Sequence, residues 1–311
     1  MKRRLLRRAG FHVLRVSARA LALGGMPTLR WAGEAFGAWH YRLGARKRHE
    51  LLRQLQTVFP GGPPGGDNLK GALREAYRIN DRAILEILAA YSGAVAPAEL
   101  AAFCQVRRTE ALDEALSEGR GAVLLGMHMG NGVAMAIHLA ARGYPIHVVY
   151  RESNKITPDF FRNGIRNQGL EAIAAAPPAH AVRRMLAALK ANQVIFILMD
   201  QASKRGGVAV EFLGKQLHLP PGPVELARRT GASIVPALLC GVDERWHFRL
   251  ADPIRMDRSR ELGQEVKILS DIMQSHILAH PQWWSWHQRR WWRHPFTTDA
   301  PPRTERPDDH S

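Results

Sequence analysis

From residue 121 onward the chain alternates short apolar runs with stretches of helical spacing, and this alternation constrains the fold more than any other feature. The runs are "GAVLLGM" (121–127), "PIHVVYR" (145–151), "VIFILMD" (194–200), "ASIVPALL" (232–239) and "HFRLADP" (247–253). Helical spacing fills the intervals over about 131–142, 157–168, 179–192 and 222–230, and again near 260–280. Strand–helix alternation of this kind predicts an α/β domain with a largely parallel sheet, with room for an antiparallel edge strand. Ahead of it, "LKGALREAYRINDRAILEILAAYSG" (69–93) has apolar residues at intervals near 3.6 and reads as a helix.

Three sections follow from the pattern. Residues 1–60 read as basic and mostly helical, ending in the Pro/Gly loop "TVFPGGPPGGDN". Residues 69–296 form the α/β domain, and 297–311, "TTDAPPRTERPDDHS", have the composition of a disordered tail. The formal charge of +16 is concentrated at the start, where residues 1–60 hold 13 Lys or Arg against only Glu34 and Glu50. Arg15 and Arg19 interrupt the first apolar stretch, so it is neither a signal peptide core nor a membrane span. Basic residues beside Leu5, Phe11, Leu14, Leu21 and Leu23 suit a helix lying on anionic lipid, or a basic helix packed on the domain. Two cysteines, Cys104 and Cys240, are too few for a disulfide framework and fit a reducing compartment.

In "LLGMHMGNG" the first strand ends at His128 and a helix starts at Asn131–Gly132. Ligands of open α/β sheets bind at the carboxyl ends of strands. A histidine there can take a proton from a hydroxyl near neutral pH. Gly130 and Gly132 let backbone approach a substrate, and Asn131 can cap the helix. Taken alone, a satisfied structural histidine is the competing reading.

That segment, with "GYPIHVVYRESNK", "RGGVAVEFLGK", "PPGPVELARRTGASIVPALL" and "PQWWSWHQRRWWRHP", resembles the bacterial lipid A biosynthesis acyltransferases of the lysophospholipid acyltransferase superfamily, over roughly residues 40–296. The resemblance implies a glycerolipid-acyltransferase-like, mostly parallel sheet flanked by helices, with an N-terminal helical membrane-associating region. It implies a peripheral enzyme on the cytoplasmic face of the bacterial inner membrane. Such an enzyme carries an acyl chain from acyl carrier protein, or acyl-CoA, to a hydroxyl of a membrane lipid or lipid A-type precursor. No cofactor or metal is implied.

Members carry H-x-x-x-x-D/E, with the histidine as general base and the acid orienting it. Here His128 is present, but five residues on stands Val133. Three accounts are open: another acid among Glu152, Asp200, Glu171 and Glu225 replaces it; a backbone carbonyl or water orients His128; or the protein binds lipid or acyl carrier without turnover. Two further departures are Ala202 after Asp200–Gln201, where members often have a second acid, and "LPPG" where a Thr-rich run is usual.

His128 and Asp200 are therefore the catalytic candidates, and Gly130, Asn131, Arg151, Lys155 and Arg205 the substrate-binding ones. By resemblance, Arg151 would meet a phosphate of acceptor or donor, for which a guanidinium fork is suited. His138 and His147 read as structural, and His287 as packing. Five of eight tryptophans lie between 283 and 292 among arginines, a composition that suits a membrane interface, a packed plug or stacking on nucleic acid. No nucleic-acid-binding motif accompanies it.

Overall fold

The computed structural model describes residues 12–13, 15–66, 68–151, 159–203, 206–287 and 289–296. Lys155, Arg205 and Glu152, the first eleven residues and the 297–311 tail lie outside the described residues.

Helices α1 (Gly25–Leu43) and α2 (Ala45–Val58) precede the long helix α3 (Leu69–Tyr91). Asn68 caps α3 by accepting the Gly71 N–H at 2.7 Å. Helix α1 lies directly against α3, because Gly33 and Gly37 leave no side chain in the way. A Cβ on Gly33 would stand 2.6 Å from Arg82 Cα, and one on Gly37 2.5 Å from the Tyr77 carbonyl oxygen. Among the described residues no helix is long and apolar enough to cross a membrane.

The chain then runs through α4 (Pro97–Ala102), β1 (Cys104–Arg107), α5 (Glu110–Ser117), β2 (Ala122–Gly126), α6 (Gly132–Ala140), β3 (Ile146–Tyr150), α7 (Phe160–Asn167), β4 (Glu171–Ala174), α8 (Pro178–Lys190) and β5 (Val194–Leu198). A hairpin of β6 (Val208–Phe212) and β7 (Lys215–Leu219) follows. Then come α9 (Gly222–Thr230), β8 (Ser233–Val242), β9 (Trp246–Leu250), α10 (Leu262–Ala279) and the short α11 (Arg289–Trp292).

Seven strands form one sheet in the order β1-β9-β8-β2-β5-β3-β4. From β8 to β4 every neighbouring pair is parallel; β9 runs antiparallel to β8, and β1 lies parallel to β9 at the edge. The expected mostly parallel sheet flanked by helices is present. Strand β2 sits at its centre with all five residues buried, as both-face coverage requires. Strands β1 and β4, helices α4 and α5 and the β6–β7 hairpin were not anticipated. The first two are four residues long, too short to give a clear period, and the hairpin forms its own two-stranded sheet.

A buried polar cluster joins α3 to the sheet. Glu86, fully buried, accepts from Arg82 Nε at 2.8 Å, Asn131 Nδ2 at 2.9 Å and Trp246 Nε1 at 2.6 Å. Arg82 donates onward to the Asp243 and Glu244 carbonyls and lies over the Trp246 ring. Three donors on one carboxylate offset the desolvation that burying it costs.

Candidate active site

Strands β2 and β5 pair in parallel with Gly126 opposite Leu198. Continued two residues, that register sets His128 opposite Asp200 at the carboxyl edge of the sheet. The side chains meet: His128 Nδ1 is 2.6 Å from Asp200 Oδ1, and the His128 backbone N–H donates to Oδ2 at 2.7 Å. A third donor, Trp284 Nε1, reaches Oδ2 at 2.7 Å from the segment after α10. Asp200 is fully buried, whereas the His128 side chain keeps 28% exposure.

Burial works to raise the Asp200 carboxyl, but the His128 imidazole and the donors around it hold it below the usual carboxylate range. A carboxylate on Nδ1 fixes the tautomer with the proton on that nitrogen and leaves Nε2 as the basic atom. A carboxylate from the neighbouring strand thus stands on His128, while position 133 is valine. Val133 itself stands in the first turn of α6, partly buried against the core. Of the other nominated acids, Glu171 lies exposed on β4 beside Arg184, and Glu225 is exposed on α9.

The loop between β2 and α6 is held from several sides. Gly130 has a φ of +60°, and a Cβ there would come within 2.9 Å of the Trp246 ring. Asn131 caps α6 by accepting the Ala134 N–H at 3.0 Å while its amide donates to Glu86. Both polar ends of this substrate-binding candidate are committed to the fold, and its side chain is buried. Arg151 is exposed just past β3 and lies near Arg290, whose ionisation is lowered by burial and by that neighbour. The carboxyl edge of the sheet therefore carries the His128–Asp200 pair, with Arg151 just past the end of β3.

Trp284 was not foreseen as part of this arrangement, since nothing in its spacing links it to a residue 84 positions away. Of the three readings open for the tryptophan-rich segment, packing describes Trp284, Trp286 and Trp291, all fully buried. Their rings meet edge to face at 4.7–5.8 Å. Trp283 and Trp292 are partly exposed. Ser285 follows, donating its backbone N–H to the His128 carbonyl and its hydroxyl to Asn80 Oδ1. His287 packs against Tyr77, and burial pushes it down to about 4, with Lys47 adding to the effect. His138 and His147 bond to the Ala101 carbonyl and to Gln193, consistent with structural roles.

Beside Asn80, Asp81 faces a mainly apolar groove of about 270 Å³ between α1 and α3, lined by Phe36, Trp39, Leu43, Ile84, Leu85 and Leu88. Its polar end is a second His–Asp contact, His40 Nδ1 to Asp81 Oδ2 at 2.8 Å. Among the described residues no group of three or more His, Cys, Asp or Glu is arranged to hold a metal ion.

The chain is 29% identical over 185 residues to the phosphatidylinositol mannoside acyltransferase of Mycobacterium tuberculosis (strain H37Rv), covering 58% of this chain and 57% of that protein. The alignment thus spans little more than half of that relative. To the protein of the same name from Mycolicibacterium smegmatis it is 25% identical over 290 residues, covering 91% of this chain and 89% of the relative. The profile of the family described as bacterial lipid A biosynthesis acyltransferase matches residues 1–293, and the chain belongs to that family.

Proposed function

We propose that this protein is an acyltransferase that moves a fatty acyl chain from a thioester donor, acyl carrier protein or coenzyme A, to a hydroxyl of a membrane glycolipid. His128 serves as general base and Asp200 as its orienting acid. The observation that carries this reading is the Asp200 carboxylate on His128 Nδ1, with Nε2 left toward solvent. It favours turnover over binding alone, because a carboxylate meets His128 even though position 133 is valine. Family membership and relatives named for phosphatidylinositol mannoside favour a sugar hydroxyl as acceptor.

In the reaction, Nε2 takes the acceptor hydroxyl proton as the oxygen attacks the thioester carbonyl. Asp200 stabilises the imidazolium that forms. The tetrahedral intermediate collapses with cleavage of the C–S bond, and the departing thiolate receives the proton from His128. No acyl-enzyme is formed. Arg151 is suited to a phosphate of donor or acceptor.

The same reading places the protein on the cytoplasmic face of the inner membrane. Helix α1 supports this by exposing Trp31, Phe36, Trp39 and Leu43. Basic residues occur on the same N-terminal helices, a combination that suits anionic headgroups.

The test is transfer of labelled acyl groups from each donor to phosphatidylinositol mannosides and to a lipid A precursor, with wild type and His128→Ala. Loss of about 10²–10⁴-fold in turnover in the variant is expected. Equal transfer by wild type and His128→Ala would refute the assignment.

A further inference from the structure

Lys215 opens β7 directly after the Leu213–Gly214 hairpin turn, and its side chain is fully buried. A lysine in that condition is uncommon unless it is paired. Its Nζ donates to Gln54 Oε1 of α2 at 2.6 Å and to the Trp291 carbonyl at 3.3 Å. It lies 3.7 Å from the centre of the Trp291 ring and 4.5 Å from that of Phe296, as a cation held by aromatic faces. Gln54 in turn donates to the Trp292 carbonyl at 2.9 Å. The amine and the amide together tie the hairpin, α2 and the C-terminal segment into one knot.

That knot reaches the candidate catalytic pair in two contacts. The Trp291 ring meets Trp284 edge-on at 5.8 Å, and Trp284 donates its indole N–H to Asp200. Phe212, at the end of β6 in the same hairpin, meets the Trp284 ring at 6.2 Å from the other side of the turn. The indole on Asp200 is thus seated by the hairpin and by the segment that Lys215 fastens to it.

We propose that Lys215 is a positioning residue for acyl transfer, fastening the tryptophan block so that the Trp284 N–H stays on Asp200. The proposal rests on the reading of His128 and Asp200 as the acid–base pair. The titratable groups facing Lys215 among the described residues are Glu50 of α2 and His294 after α11, the latter also near His218 of β7. Burial pulls the Lys215 amine down to about 7, with Glu50 acting in the opposite direction.

The decisive measurement is the pH at which the His128 ring titrates, followed by NMR on protein labelled at histidine, with His128→Ala assigning the signal. In Trp284→Phe, Asp200 loses one donor and accepts more strongly from Nδ1, so the midpoint rises. Lys215→Met keeps the side-chain bulk but removes Nζ. It should raise the midpoint in the same direction by a smaller amount, about 0.3–0.5 pH unit. Gln54→Leu, which removes the acceptor of Nζ from a half-buried site, should do the same if Lys215→Met fails to fold. An unmoved His128 midpoint in the folded variants, while Trp284→Phe shifts it, would leave Lys215 as packing alone and overturn the proposal. An unmoved midpoint in Trp284→Phe would overturn it as well. This readout needs no substrate, so failure of wild type to transfer acyl groups would sink the assigned reaction without deciding the role of Lys215. Where transfer is seen, kcat of Lys215→Met should fall about threefold to tenfold with KM within about twofold.

Discussion

Trp31 and Trp39 stand on α1 with most of their surface in solvent, 71% and 56% exposed, while Trp284, Trp286 and Trp291 are wholly buried. The residue type is the same, and both regions carry arginines. What differs is the company each ring keeps. In the C-terminal block every buried ring meets another tryptophan, and the Trp284 and Trp286 indoles donate to Asp200 and to the Pro281 carbonyl. On α1, Phe36, Trp39 and Leu43 follow each other at intervals of three and four, on one exposed stripe that borders the groove beside α3. Composition marked both regions as amphipathic. Only partners separate the block packed against Asp200 from the face left exposed on α1.

The comparison breaks first at the chemistry. Asp200→Asn keeps the shape of the acid but not its charge, and should cut turnover by about 10²–10⁴-fold, as loss of the orienting charge does in a serine-protease triad. Binding to vesicles should be unchanged, because α1 is untouched. If turnover stayed within tenfold of wild type, the block would support no catalytic pair. Next in size is stability. Trp286→Ala should lower the free energy of unfolding in urea by about 3–5 kcal/mol, as expected for a fully buried aromatic. Trp31→Ala and Trp39→Ala should each stay within about 0.5 kcal/mol, as for surface substitutions. Similar losses at both places would mean that the α1 face is covered in solution.

The same contrast shows what the amino-acid order discloses. The strands through 121–127, 145–151, 194–200, 232–239 and 247–253 were legible because continuous apolar runs have few alternatives in a domain of this size. His128 and Asp200 were each legible as strand-end residues. Their pairing was not, because it depends on β2 and β5 being neighbours although β3 and β4 intervene in the chain. Once adjacency is known, aligning the two apolar runs brings the histidine over the aspartate. The H-x-x-x-x-D/E spacing drew attention to Val133, a position within one local turn, whereas the carboxylate that meets His128 comes from the neighbouring strand. Asn131 showed its capping role in sequence, but not that its amide is claimed by Glu86 on α3. Trp284 was seen only as part of a composition, since a hydrogen bond between distant segments leaves no periodic trace.

A smaller effect separates the two regions at the membrane. Trp31→Ser combined with Trp39→Ser should weaken sedimentation with anionic vesicles about tenfold, the scale of losing two partly inserted rings. Turnover on a short-chain, water-soluble donor and acceptor should change less than twofold. Equal loss of both would tie α1 to the site rather than to lipid.

The last contrast lies inside the buried block and concerns pH. Lys215 titrates at about 7 in the fold, against an ordinary 10.5 when the chain is unfolded. Between those values the unfolded chain holds a proton that the folded protein has released, so stability from this group rises with pH across the window. Below about 7 both states are charged, and burial of the ammonium weighs fully against the fold. Lys215→Met should remove this rise, leaving unfolding free energies in urea flatter between pH 7 and 10 than in wild type. The exposed face of α1 offers no buried amine, so Trp39→Ala should keep the wild-type slope. If Lys215→Met kept it too, the rise would belong to other groups, and the cage of Trp291 and Phe296 would be holding a lysine whose charge burial does not oppose.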